Sequence, residues 1–116
     1  MDDRYVRQFK KGALELVLLC LIARGETYGY ALLTALQERG GAIFGGPREG
    51  TIYPVLYRLE EAGLVSSRLR AEGGRSRKYY ALTARGREAL GELTAFWRDF
   101  SGCVEGFVEK REEEHP

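Results

Sequence analysis

GTIYPVLYRLEEAGLVSSRLRAEGGRSRKYYALT, residues 50–83, contains a change of hydrophobic period that decides how the chain folds. In its first half Ile52, Val55, Leu56 and Leu59 recur at i, i+3, i+4 and i+7, the stripe of an amphipathic helix, and Gly63 closes it. Pro54 is tolerated if that helix opens near Gly50 or Thr51, because in a first turn its missing N–H has no intrahelical partner to lose. In the second half, LVSSRLR (64–70) and RSRKYYALT (75–83) are rich in β-branched, aromatic and basic residues, and AEGG supplies a glycine-containing connection. The stretch is predicted as a helix followed by an antiparallel hairpin with a basic tip. Tyr79 and Tyr80 take opposite faces of their strand, and the sequence leaves open which one is core.

Working outward, Leu14, Val17, Leu18 and Leu21 mark a first helix over about 12–24, whose back face, Leu16, Leu19, Cys20 and Ala23, is apolar too. This makes it the central element, with Cys20 and the distant Cys103 as small buried hydrophobes. Gly25 stops it, Thr27 is the expected N-cap, and a second helix from 28 to about 39 buries Leu32, Ala35 and Leu36. GGAIFGGP, 40–47, reads as a loop whose Ile43 and Phe44 tuck back onto the core. After Thr83, a capping residue, a last helix runs from 84 to about 110 with Leu90, Leu93, Trp97, Phe100, Val104 and Phe107 spaced 3, 4, 3, 4, 3. The fold class is mainly α (α+β): a winged helix-turn-helix over 1–83, including an N-terminal segment 1–11, then a long C-terminal dimerisation helix and acidic tail over 84–116.

Composition narrows the function. The 116 residues, 44% hydrophobic and 30% charged, make one domain with a real core rather than a disordered chain. The longest near-apolar run, 13–23, holds eleven residues including Glu15, too short for a membrane span, so a soluble, cytoplasmic protein with no membrane partner is expected. The one histidine, His115, has no second ligand cluster beside it, and no nucleophile elbow or phosphate-binding glycine loop is present. No metal, no cofactor and no catalytic residues are therefore expected. Net charge is +1, but residues 1–83 carry +4 and 84–116 carry −3, and Arg68, Arg70, Arg75, Arg77 and Lys78 against Glu72 concentrate +4 in eleven residues. Such cations serve either nucleic-acid binding or the protection of an edge strand.

With its apolar stripe inward, the third helix turns Tyr53, Pro54, Tyr57 and Glu61 outward, with Thr51 and Arg58 on the flank. Glu60 and Glu61 would repel phosphates, whereas Arg48, Thr51 and Tyr53 stand beside the positive end of the helix dipole, so the N-terminal half is expected to enter a major groove. The last helix, roughly 40 Å long, outruns the body that could shelter it. Exposing Phe96, Trp97, Phe100, Cys103, Val104 and Phe107 would be costly, and a second copy under two-fold symmetry, helped by Tyr5 and Phe9, is the expected cover.

Together, GALELVLLCLIARGETYGYALL (12–33), GTIYPVLYRLEEAGLV (50–65) and GGRSRKYYALTARGREAL (73–90) strongly resemble the PadR-like transcriptional regulators, in particular the small members with a single C-terminal helix. The resemblance covers about 12–96 and implies a homodimeric repressor on a pseudo-palindromic operator in double-stranded DNA, released by a small molecule or stress signal. It implies DNA contacts from Thr51 and Tyr53 and from the wing residues Arg75, Arg77 and Lys78. Tyr28 and Tyr30 match a motif whose tyrosines contact either phosphate or the core, which leaves both roles open for Tyr28 and gives Tyr30 a structural one. Trp97, with Phe96 and Phe100 near it, resembles the position where a planar aromatic effector stacks; a plain knob in the dimer core is the other reading. The competing function is a winged-helix module that grips another protein and has no need of the wing's cations.

Overall fold

A computed structural model describes residues 3–44 and 48–114, with the backbone alone at residue 3 and at 111–114. The middle of the glycine-rich segment, 45–47, and His115 lie outside the described residues, as do the side chains of the acidic tail. The order is α1 (Asp3–Ala23), β1 (Thr27–Tyr28), α2 (Gly29–Ala35), a wider π-type turn (Leu36–Gly40), α3 (Gly41–Phe44), α4 (Glu49–Glu61), β2 (Val65–Glu72), β3 (Arg75–Leu82) and α5 (Ala84–Glu114). The strands form one antiparallel sheet in the order β1-β3-β2.

The core draws one face from each element: Leu14, Leu18, Leu19 and Ile22 of α1, Leu32, Leu33 and Leu36 around α2, the four stripe residues of α4, and Val65 and Tyr80 of the sheet. Each buried aliphatic side chain contributes about 1.5–3 kcal/mol. On α1 the buried face is turned slightly from the expected stripe, with Val17 and Leu21 only partly covered. The hairpin register ends at Glu72 opposite Arg75. Gly73 and Gly74 make the turn with φ of 52° and 80°, the positive pair that a tight hairpin twisted like its strands requires. Thr83 then ties two helices together: its Oγ1 accepts the Gly86 N–H at 2.9 Å and donates to the Gly63 carbonyl at 2.7 Å.

Several expectations need correction. The first helix starts nine residues earlier than 12, since the chain from Asp3 is already helical. Thr27 is not an N-cap: it pairs with Tyr80 in β1, and Tyr28 at the cap position makes no side-chain capping bond. Part of the expected loop is the helical turn α3, where Phe44 packs on the core but Ile43 is 73% exposed. Because α4 begins at Glu49, Pro54 falls in the second turn, where it forfeits the bond its N–H would have made to the Gly50 carbonyl; Gly50 is exposed, so water can serve that carbonyl. Cys20 and Cys103 are both exposed free thiols, not core residues: Cys20 stands at the edge of a groove shared with Ala35, Leu36 and Phe44, and Cys103 lies on the exposed far part of α5.

Candidate nucleic-acid interface

Arg48 precedes α4 in extended conformation, and its carbonyl accepts the N–H groups of Thr51 and Ile52 at 2.9 and 3.1 Å. The helix is therefore started by backbone alone. Ile52, Val55, Leu56 and Leu59 are fully inside, which forces the opposite residues out: Tyr57 is 64% exposed and Tyr53 43%, with Thr51, Pro54, Arg58 and Glu61 exposed around them. Tyr53 is held as well as shown. Its ring lies so close to the start of α2 that a Cβ on the buried Gly29 would stand 2.5 Å from the Tyr53 hydroxyl. That contact holds the Tyr53 ring against the start of α2.

The wing is a network of cations on rings and carboxylates. Glu26 accepts from Arg68 Nε at 2.7 Å and Nη2 at 2.8 Å, with Arg70 Nη1 at 3.4 Å. The bond from Arg68 holds the Glu26 carboxyl below its usual range and pushes Arg68 up. Arg77 stacks over Tyr28 at 4.4 Å and pairs with Glu72 at 3.6 Å, while Tyr28 packs on Tyr79 at 5.2 Å and Arg70 covers the Tyr79 ring. The Tyr79 hydroxyl donates to Glu72 at 2.5 Å, which pushes the tyrosine up. Lys78 points to the other face, 3.5 Å from Glu60, which also accepts the Ser67 hydroxyl at 2.5 Å. Tyr79 and Tyr80 are both buried, because the strand is covered on one face by Tyr28 and Arg70 and on the other by the core.

Thus the structure brings Thr51, Tyr53, Tyr57 and Arg58 onto one surface with Arg48 at its start, and sets Tyr28 and Arg77 together beside them. It separates Lys78 from Arg77 and places Arg75 alone at the exposed tip. Arg58 is engaged with Glu15 at 3.2 Å. Tyr30, read from the resemblance as structural, is 61% exposed. The cations Arg7, Lys10 and Lys11, beside α4 but unmarked in the sequence, were concealed by a helix start placed too late; their i, i+3, i+4 spacing was the available signal.

The second surface is α5. Its first turns rest on α1 and β3, and Leu90 packs on the core. Beyond that, Leu93, Phe96, Trp97, Phe100, Val104 and Phe107 are exposed, as are Tyr5 and Phe9 on α1. Phe96 and Phe100 stack on each other at 5.6 Å, 18° from parallel. Among the described residues no group of three or more His, Cys, Asp or Glu could hold a metal ion, and no helix is long and apolar enough to cross a membrane.

A helix-turn-helix whose second helix shows tyrosines to solvent, followed by a basic β-wing, defines the winged helix-turn-helix class. The model of the transcriptional regulator PadR-like family matches residues 18–92, and the chain belongs to that family. It is similar to the transcriptional regulator Rv3488 of Mycobacterium tuberculosis, 38% identical over 87 residues that cover 75% of this chain and 78% of that protein. The crystal structure of a PadR family regulator from Eggerthella lenta superposes with a TM-score of 0.81 at 32% identity, covering 92% of this chain and 91% of that one. Bacillus subtilis PadR in complex with operator DNA superposes with a TM-score of 0.64 at 29% identity, over 70% of this chain and 46% of that one. The protein is a transcriptional regulator and not an enzyme.

Proposed function

We propose that the protein is a homodimeric, sequence-specific repressor that inserts α4 of each copy into successive major grooves of a pseudo-palindromic DNA site, with half-sites about 34–36 Å apart. The observation that carries this is the exposed, tyrosine-bearing face of α4 directly opposite four fully buried residues. In this reading Arg48, Thr51, Tyr53, Tyr57 and Arg58 meet the groove, while Tyr28, Arg75, Arg77 and Lys78 act at or behind the wing. The neighbour bound to operator DNA supports the same use of the fold. Residues 84–116 join two copies through Leu93, Trp97, Phe100, Val104 and Phe107, with Tyr5 and Phe9 of the other copy, while Leu90, first in the same heptad stripe, packs on the core of its own chain. A planar aromatic effector stacking on Trp97, beside Phe96 and Phe100, would shift the spacing of the two heads and release the DNA.

Fluorescence polarisation against the duplex upstream of its own coding region is the test. Tight binding that exceeds binding to mixed-sequence DNA, with most of that preference lost in Tyr57→Ala and Thr51→Ala, is expected. Equal affinity for both duplexes would contradict sequence-specific regulation and favour a protein-binding module. For the effector, quenching of Trp97 fluorescence by a planar dye, absent in binding curves of Trp97→Ala, is expected; equal dye affinity in both proteins would remove the pocket from the proposal.

A further inference from the structure

A helix lying in a major groove has a phosphate strand on each side, because the groove is about 12 Å wide and a helix with its side chains about 10–12 Å across. The wing serves one side of α4: Tyr53 lies against Gly29 there, and Glu60 is bonded to Ser67 and Lys78. At about 100° per residue, Thr51 and Arg58 mark the opposite flank. They border a groove of about 540 Å³ between α1, α3 and α4. Its apolar floor is Leu14, Phe44, Pro54 and Val55, and its rim holds Arg7, Lys10, Lys11 and Arg48.

The cations of the two flanks are in different states. Arg68, Arg70, Arg77 and Lys78 of the wing are each held by a carboxylate of the protein, and among the described residues only Arg75, at the hairpin tip, has none of the wing's ion pairs. Among the described residues no carboxylate pairs with Arg7, Lys10, Lys11 or Arg48; in this groove only Arg58 is engaged, by Glu15. Four unneutralised charges around one concavity repel one another, and a Debye length of about 8 Å at physiological salt screens them incompletely. A polyanion relieves that repulsion. The N-terminal end of α4, opening at Arg48, adds the positive end of a 13-residue helix to the same rim, tempered by Glu49 in its first turn.

We infer that the α1–α4 groove is a second phosphate-binding wall of the DNA interface, in which Arg7, Lys10, Lys11 and Arg48 grip the strand across the major groove from the wing. This rests on the proposed insertion of α4 into DNA and adds the α1 cations Arg7, Lys10 and Lys11, which that reading did not include. Phosphate contacts position a protein without reading sequence, so the groove contributes affinity, salt dependence and the tilt of α4, but no base preference.

The probe is a fluorescein-labelled mixed-sequence duplex of about 30 bp, since non-specific binding is almost wholly a phosphate effect and needs no operator. The full chain is compared with Arg7→Gln/Lys11→Gln and with Arg87→Gln/Arg98→Gln, which removes equal charge from exposed sites on α5. The groove variant is expected to bind at least ~10-fold more weakly at ~0.1 M salt, its plot of log affinity against log salt shallower by about 0.9 for each phosphate that is no longer neutralised. The α5 variant should keep the original slope. Glu15→Gln, which releases Arg58 into the groove, should tighten binding and steepen the slope. Equal slopes for the groove variant, the α5 variant and the full chain, with matched melting curves, would overturn the inference while leaving the insertion of α4 intact. Failure of the unsubstituted chain to bind any duplex would overturn both.

Discussion

The winged-helix body and the far two-thirds of α5 carry similar apolar periodicities and treat them in opposite ways. In the body, Leu18, Leu19 and Leu56 are completely buried, whereas along α5 beyond Leu90 the best covered of the large apolar residues, Leu93, is still 39% exposed. Both have apolar residues at helical spacing. What differs is reach: α5, with 31 residues and a length of about 46 Å, extends past every element that could cover it. A stripe closed within the chain is a core; one left bare at this scale is an interface, which the proposed second copy completes.

That contrast can be broken at either end. Leu56→Ala in the body is expected to cost about 2–5 kcal/mol in urea unfolding, by the same amount at every protein concentration. Phe100→Glu/Val104→Glu on α5 should leave the body folded, reduce the mass in solution to that of one chain, and weaken binding to the native upstream duplex by about 10²-fold, because the two heads no longer bind as a linked pair. A loss of body structure in that variant would show that α5 belongs to the core after all. Gly29→Ala sets a methyl where the Tyr53 ring lies and should cost about 1–3 kcal/mol, with a loss of sequence preference as that ring is displaced from the start of α2. Thr83→Ala, which releases the first turn of α5 from the end of α4, should cost about 1 kcal/mol in thermal melts.

The smallest effect lies in the wing. Since Arg68 depresses the Glu26 carboxyl when folded, the pairing contributes fully above the usual carboxylate range and is lost as pH falls through the lowered folded value. Acid titration should therefore loosen the wing before the core, seen as earlier exchange of β2 and β3 amides, and Glu26→Gln should remove that step. Wing amides that exchange at the same pH with and without Glu26 would contradict it.

Much of this architecture was legible because period is a physical signature. The α4 and α5 stripes follow from spacing, and the hairpin from two strand-like runs joined through Gly73 and Gly74. The start of α1 was hidden because Tyr5, Val6 and Phe9 are the only apolar residues of RYVRQFKKG and make no more than one turn of stripe; its helix is continuous with the buried turns after it. Cys20 was misread because its face of α1 looks apolar, and a single chain cannot say whether such a face meets its own body or another molecule. Charge was read as a density along the wing, while the structure shows it as a set of pairings: Arg77 and Lys78, neighbours in sequence, serve opposite faces, and the groove cations near α4 have no carboxylate partners among the described residues. Arg77 takes Glu72 within the hairpin and Lys78 takes Glu60 at the end of α4, while Glu26, which holds Arg68 and Arg70, stands 42 and 44 residues from them in sequence.

Sedimentation equilibrium of the unsubstituted chain at micromolar concentration tests most directly whether α5 joins two copies. A single species of about twice 13.1 kDa is expected; a species of 13.1 kDa, with the aromatic stripe of α5 left in water, would contradict it.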